Sequence, residues 1–356
     1  MHIKVGLVGL PNVGKSSFFN ALTGSFVQSE NYPFCTINPN ISRFIVNDER
    51  IDKLVEVDCP NNIVSPTIEV YDIAGLVKGA SKGEGLGNLF LSHIKEVDLI
   101  LHVVRFFDNS NIIHVENRVD PINDIEIINL ELIFKDIELI EKRIQSVKKD
   151  IERGIKKNDE LDVLNKIKSR LENHEYINVR EDYLDENEKK MIKDLQLLTL
   201  KPVVYVGNVD ENIDDSTHLH LKNIPQTDIV YIPIKLGADI NTLSNEEKIA
   251  FDSEVNKWNK YINQLTKLIY EKLNVITFYT SGKDEVRGWP IYNGTLAPKA
   301  ASEIHSDFEK HFIKADVCKF NNYYNKKKCG EAPEFLTYGK DYKICDGDVV
   351  NFKVGI

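Results

Sequence analysis

No apolar run in the sequence approaches the ~20 residues that a membrane-spanning helix needs. The N-terminus passes straight into a strand-like run, without the basic, apolar and small-residue order of a secretory signal. No membrane partner is expected. Cysteine is sparse: five, at positions 35, 59, 318, 329 and 345, none in a CxxC pair. An odd, scattered set excludes a disulfide framework and suggests reduced thiols in a cytoplasmic setting. Cationic excess is lacking too. Fifty-five acidic residues against 45 basic ones give a net charge of −10, which argues against a general nucleic-acid coat and against sequence reading of DNA, though not against local basic patches. There is no 20–50-residue repeat and no long low-complexity tract. What remains is a chain of 356 residues, 42% hydrophobic and 28% charged, long enough for two or three domains with cores of their own.

Residues 9–16 read GLPNVGKS, which fits G-x-x-x-x-G-K-[ST]. The preceding IKVGLV, residues 3–8, is a β-type run, and SSFFNALTG reads as a helix closed by Gly24. Strand, glycine loop and helix together are the setting this pattern needs. Gly9 and Gly14 let successive N–H groups converge on phosphate oxygens, and the helix adds its positive end. Lys15 is expected to reach the β- and γ-phosphates, and the Ser16 hydroxyl to ligate Mg²⁺. A second motif follows a strand in YDIAGLVKGASKGEGLGN, residues 71–88. Asp72 ends that strand as a metal-holding acid, and the Gly75 N–H can meet the γ-phosphate. Between the two motifs lies NYPFCTINPN, residues 31–40, whose Thr36 is placed to close over Mg²⁺.

A fourth strand candidate, PVVYVG, leads into Asn208-Val209-Asp210-Glu211. Guanine readers of this architecture carry N-K-x-D here. Valine replaces the lysine that packs on the base, and Glu211 moves the carboxylate by one methylene. A buried hydrogen bond lost in this way can cost up to ~10⁴ in discrimination, so strict guanine specificity is disfavoured. Adenine recognition fits, with Asn208 and the Val209 backbone at its edge and the Val209 side chain on its face.

Strand candidates at 3–8, 67–72, 97–104, 202–207 and 228–234 alternate with helical patterns, which indicates a parallel sheet covered on both faces. Residues 124–173 carry apolar residues at 3–4 spacing among dense charges, as in an antiparallel helical hairpin. The resulting organisation is α/β. A discontinuous P-loop nucleotide-binding domain covers 1–125 and 200–275, a helical hairpin insertion covers 126–199, and a small β-rich domain covers 276–356.

GLPNVGKSS, NYPFCTINPN, DIAGLVKGASKGEGLGN and NVDE closely resemble the Obg-like ATPase (YchF) family, a translation-factor branch of P-loop NTPases. FYTSGKDEVRGWPIYNGT, IHSDFEKHFIKADV and DYKICDGDVVNFKV resemble its TGS domain, of β-grasp type. The likeness covers essentially the whole chain. It implies an ATPase that can also take GTP, a coiled-coil insertion, a TGS domain and association with ribosomes or rRNA, in a cytoplasmic monomer. It places Asn12, Val13, Gly14, Lys15, Ser16 and Ser17 in the phosphate loop, Ser16 and Thr36 on Mg²⁺, and Asn208 and Val209 at the base. The second base-side loop reads IPIKLGAD here, with Lys235 and Leu236 where related sequences carry small residues.

Leu76 stands where Ras-like enzymes orient water with glutamine. Two substitutes are visible. Asn12 matches relatives that bind K⁺ beside the phosphates, or it only stabilises a turn. His114, in a polar loop where the family also has histidine, can hydrogen-bond a water, or it only packs at the surface. Slow, switch-like hydrolysis is expected. The alternatives are a GTP-specific Obg-type GTPase and a nucleotide-gated ribosome- or RNA-binding platform in which hydrolysis is incidental. Basic runs at 142–157 and at Lys326, Lys327 and Lys328 are candidates for rRNA phosphates, or solvated faces.

Overall fold

The computed structural model describes residues 1–23, 41–72, 96–107, 119–155, 158–175, 183–211 and 228–355. Thr36, Gly75, Leu76 and His114 lie outside them. Contacts divide the chain into two units, one of Lys4–Ser42 and Val70–Tyr261, the other of Met1–Ile3, Arg43–Glu69 and Ile262–Ile356.

The first unit holds most of a six-stranded sheet in the order β2-β4-β1-β5-β6-β7, from β1 (Ile3–Val8), β2 (Ile41–Ile45), β4 (Thr67–Asp72), β5 (Leu99–Arg105), β6 (Val203–Asn208) and β7 (Ile229–Ile232). β1, β5, β6 and β7 are parallel neighbours, with Val8 opposite His102, Arg105 opposite Asn208 and Asn208 opposite Ile232. All seven residues of β5 are buried, as expected of a strand covered on both faces. The register brings the C-terminal ends of these strands level. In an open α/β sheet that edge forms the ligand crevice.

Helix α1 (Lys15–Thr23) buries Phe18, Phe19, Ala21 and Leu22. The insertion begins with α3 (Pro121–Glu152), where Pro121 occupies the first turn and the Asp120 side chain accepts from Asn123 N–H, a start signal written in the sequence. With α4 (Asp159–Glu172) it buries Ile133, Ile140, Ile144 and Val147 against Val163, Leu164, Ile167 and Leu171. This is the helical pair that the 3–4 spacing indicates. Its return passes through α5 (Glu186–Ile192) and ends in a short turn, Leu198–Leu200, ahead of β6. Buried Asp136 of α3 accepts from Leu198 N–H (2.9 Å), Thr199 N–H (2.8 Å) and Thr199 Oγ1 (2.6 Å).

Two sequence expectations change. The strand read to residue 234 ends at Ile232, and the base-side "loop" is mostly helix α6 (Ile234–Thr242). Ile234, Leu236, Gly237 and Ile240 are buried, a 3–4 spacing that a four-residue strand run disguises. Residues 245–273 form two helices, α7 (Asn245–Ala250) and α8 (Asp252–Leu273), the first opened by a Ser244–Glu247 capping box.

The second unit also holds a six-stranded sheet, in the order β11-β10-β12-β8-β9-β3. Its strands are β8 (Val275–Ser281), β9 (Glu285–Tyr292), β10 (Phe312–Lys319), β11 (Leu336–Tyr338), β12 (Asp348–Val354) and, from far upstream, β3 (Asn62–Val64). β3 runs parallel to β9, with Asn62–Val64 opposite Glu285–Arg287. Helix α2 (Glu49–Asp58), capped by Asp48, sets Ile51 and Leu54 against Tyr279, Val286 and Val349. Helix α2 and β3, in the stretch between β2 and β4, thus pack with the C-terminal sheet.

After the short helices α9 (Ala297–Ser302) and α10 (Asp307–Lys310), helix α11 (Phe320–Lys328) carries the second basic run. Lys326 pairs with Glu331 (2.5 Å), Lys327 with buried Asp58 (2.8 Å) and Lys328 with Glu56 (3.2 Å). These three ammonium groups are therefore engaged by carboxylates of their own unit, and the run is not a free phosphate-binding patch. On α3, Lys142 pairs with Glu138 and Arg143 with Glu160, while exposed Lys148 and Lys149 have no ion-pair partner among the described residues.

Candidate functional site

The turn between β1 and α1 has the backbone of a phosphate cradle. Gly9 (φ 150°) and Gly14 (φ 103°) lie in the region that favours glycine, and Asn12 is left-handed at φ 63°. A Cβ on Gly9 would sit 2.4 Å from the Val103 carbonyl, and one on Gly14 would sit 2.5 Å from Asn208 Nδ2. The two glycines are thus demanded by conformation and by space. The Gly14 carbonyl accepts from Phe18 N–H at 2.8 Å, the first bond of α1. Ser16 and Ser17 are exposed in that first turn, and Val13 is buried beneath the loop.

Lys15 arches back over the loop, its Nζ donating to the carbonyls of Gly9 (2.8 Å) and Leu10 (2.7 Å). Burial holds its pKa below the usual lysine value, partly offset by the Asp72 carboxylate. Asp72, at the end of β4, shows the reciprocal pattern: burial raises its pKa and Lys15 pulls it back. Each half-buried charge is thus the other's counterion. The strand ends place a carboxylate oxygen and the helix start places a hydroxyl, both hard donors. Among the described residues there is no cluster of three His, Cys, Asp or Glu side chains for a metal. That donor set fits Mg²⁺, which takes one or two protein oxygens and completes its shell with phosphates and water, better than an all-protein metal cage.

On the base side, Asn208 is buried and its Nδ2 donates to the Val13 carbonyl at 2.9 Å. β6 is thereby bonded to the phosphate loop, a role that the sequence pattern alone did not suggest. Val209 is buried, and its N–H donates to the Ile232 carbonyl at 3.2 Å. The Val209 N–H is therefore spent, and only its carbonyl and side chain remain for a base. Asp210 and Glu211 are exposed.

Two polar residues of the β5 run LILHVVR belong to the surroundings of this site. His102 is fully buried near Lys15, and burial, with Lys15, pushes its pKa down to about 3, so it is neutral at physiological pH. Arg105, the largest fully buried side chain among the described residues, donates from Nε to the Phe107 carbonyl at 3.1 Å. A histidine and an arginine inside an apolar strand are the signal that could have drawn attention to them.

A family model described as a 50S ribosome-binding GTPase matches residues 4–166, and the YchF GTPase C-terminal model, described as a protein of unknown function, matches residues 275–355. The Ribosome-binding ATPase YchF of Bacillus subtilis (strain 168) is 42% identical over 368 residues, covering 100% of both chains. That of Escherichia coli O157:H7 is 43% identical over 361 residues, covering 99% of each. The solved structure of the Schizosaccharomyces pombe YchF GTPase matches with a TM-score of 0.80 at 36% identity, covering 99% of this chain and 97% of that one. A P-loop GTPase-type domain and a YchF C-terminal domain in one mixed α/β chain, matched from end to end, place this protein in the YchF family.

Proposed function

We propose that this chain is a Mg²⁺-dependent, ATP-hydrolysing P-loop NTPase that also accepts GTP and acts as a slow nucleotide switch on the ribosome. The observation that carries the reading is the loop itself: two glycines with no room for a Cβ, followed by Lys15 at the start of α1. The names of the relatives, ribosome-binding ATPases, support the substrate and the partner.

The residues divide the work. Loop N–H groups and the start of α1 bind the phosphates, and Lys15 leaves the Gly9 and Leu10 carbonyls for the β- and γ-oxygens. Ser16, Thr36 and Asp72 hold Mg²⁺, which supplies charge neutralisation across the β- and γ-phosphates. Gly75 offers its N–H to the γ-phosphate. His114 accepts a hydrogen bond from the attacking water in place of the glutamine that Leu76 replaces. Asn12 offers its amide oxygen to K⁺ beside the loop. Asn208 and the Val209 carbonyl face the adenine edge. With no glutamine, turnover without a partner is expected well below the ~10 s⁻¹ median of enzymes.

The helical pair acts as a coiled-coil arm and the C-terminal domain as a TGS domain, in a cytoplasmic monomer. Among the described residues no helix is long and apolar enough to cross a membrane. Lys148 and Lys149 on the arm are the cations best placed to meet rRNA. Calorimetric titration with ATPγS and GTPγS, in Mg²⁺ and potassium buffer, tests the reading, followed by co-sedimentation with ribosomes. Binding of ATPγS with nucleotide-dependent co-sedimentation is the expected result. Failure to bind either nucleotide refutes the proposal.

A further inference from the structure

In the C-terminal unit, three stretches meet at a groove of about 410 Å³: the β8–β9 hairpin (residues 280–285), Ile304 with Phe308, and residues 349–352 of β12. That volume is in the range of ligand pockets. The nucleotide reaction gives these residues no task.

The groove exists because two neighbouring strands part. β12 pairs with β10 along its length, from Asp348 opposite Lys319 to Val354 opposite Phe312. On its other side, its register with β8 is confined to Val349 opposite Tyr279. β8 ends at Ser281, and the chain turns back through Gly282, whose N–H donates to the Glu285 carbonyl at 3.1 Å. Among the described residues, no strand therefore lies beside residues 351–354 of β12 on that side. An unpaired strand edge presents its N–H and C=O groups as a template for another extended chain.

The surrounding side chains decide what that chain can carry. Val350 belongs to an apolar cluster against which Ile304, Phe308 and Phe352 pack. Phe335, 40% exposed, also lines the groove. Asn351 and Lys353 alternate with the apolar residues of β12 and are exposed. A strand added beside β12 would set every second side chain on apolar groups and the others next to Asn351 and Lys353. Lys353 has no ion-pair partner among the described residues, and opposite charges favour a cross-strand pair. On the facing wall, Lys283 is offset by Asp284 and Glu285. Those two carboxylates also disfavour a chain of phosphates.

We infer that this groove binds an extended peptide by strand addition to β12, its apolar residues alternating with acidic ones.

The test is calorimetric titration of the full chain with a capped hexapeptide of alternating valine and aspartate. A Kd below ~1 mM is expected, with the valine–lysine counterpart at least ~tenfold weaker. Successive N–H groups of a strand point to opposite edges. N-methylation of the valines or of the aspartates, whichever set faces β12, should therefore cost ~tenfold or more. Lys353→Glu should invert the preference between the acidic and basic peptides, with ATPγS binding retained as the sign of an intact fold. No binding of the acidic peptide, full binding by both N-methylated forms, or an unchanged preference in Lys353→Glu overturns the inference. So does a hexauridine RNA that binds and displaces the peptide, which would assign the groove to nucleic acid.

Discussion

Asp136 offers a test of how the helical arm is joined to the sheet. Its side chain is 1% exposed and accepts three hydrogen bonds, one oxygen taking Leu198 N–H and the other taking both Thr199 N–H and Thr199 Oγ1. Burial pushes its pKa up to about 6, against the pull of the Thr199 and Leu198 donors. An aspartate in the unfolded chain titrates near 3.9, so the gap of roughly two units corresponds to ~3 kcal/mol. The folded form binds the proton more tightly. The stability from that proton is fully present below about pH 4 and is lost as pH rises through 6. Asp136→Asn removes this dependence. Its amide oxygen can serve the two Thr199 donors, but its NH₂ then faces Leu198 N–H, leaving a buried donor unpaired at a cost of ~1–3 kcal/mol. At pH 7 that loss is offset by no longer burying a charge, so the variant should lie within about 2 kcal/mol of wild type. By pH 4.5 it should have fallen behind by about 2 kcal/mol more. Urea unfolding of both proteins at pH 4.5, 5.5 and 7 measures the difference, in which all other titrating groups cancel. A stability difference that stays flat across this range would refute the reasoning.

Gly14→Ala should abolish tight nucleotide binding, by ~100-fold or more, because its Cβ would meet Asn208 Nδ2 at 2.5 Å in a left-handed backbone. Near-wild-type ATPγS affinity would mean that the Asn208–Val13 link does not hold the loop. In the C-terminal unit, Asp58→Ala removes the acceptor of Ser281 Oγ (2.5 Å), Tyr323 OH (2.7 Å) and Lys327 Nζ (2.8 Å). About 3 kcal/mol of stability should be lost, read as a lower urea midpoint with ATPγS affinity retained. Lys327→Met should recover less than half of that loss when combined with it, since Ser281 and Tyr323 remain without their acceptor.

The parts legible in the sequence were local ones. Strand, glycine loop and helix over residues 3–23 stand side by side in the chain, and so do PVVYVG and the asparagine that ends β6. Helix α3 announces itself by Asp120, Pro121 and a long apolar stripe. Non-local features did not announce themselves. Nothing in NIV, residues 62–64, says that it will pair with residues 285–287. The lysine run at 326–328 looks free until α2 supplies Asp58 and Glu56 beside it. Asp136 reads as one more charge on a solvated helix face, and its burial becomes visible only when the turn at 198–199 is folded onto it. Helix α6 was hidden because the residues before it continue the apolar run of β7 without a polar cap, Pro233 standing at the N-cap.

The pairing of β3 with β9 also orders events during synthesis. Residues 49–64 leave the ribosome early, yet the sheet that β3 joins and the apolar surface under Ile51 and Leu54 come from strands made last. At roughly 5–20 residues per second, the intervening chain takes at least about ten seconds to appear. Throughout that interval α2 has no Tyr279, Val286 or Val349 to cover. Long-range closure of this kind folds slowly, so α2 keeps an uncovered apolar face long after the phosphate loop has been made.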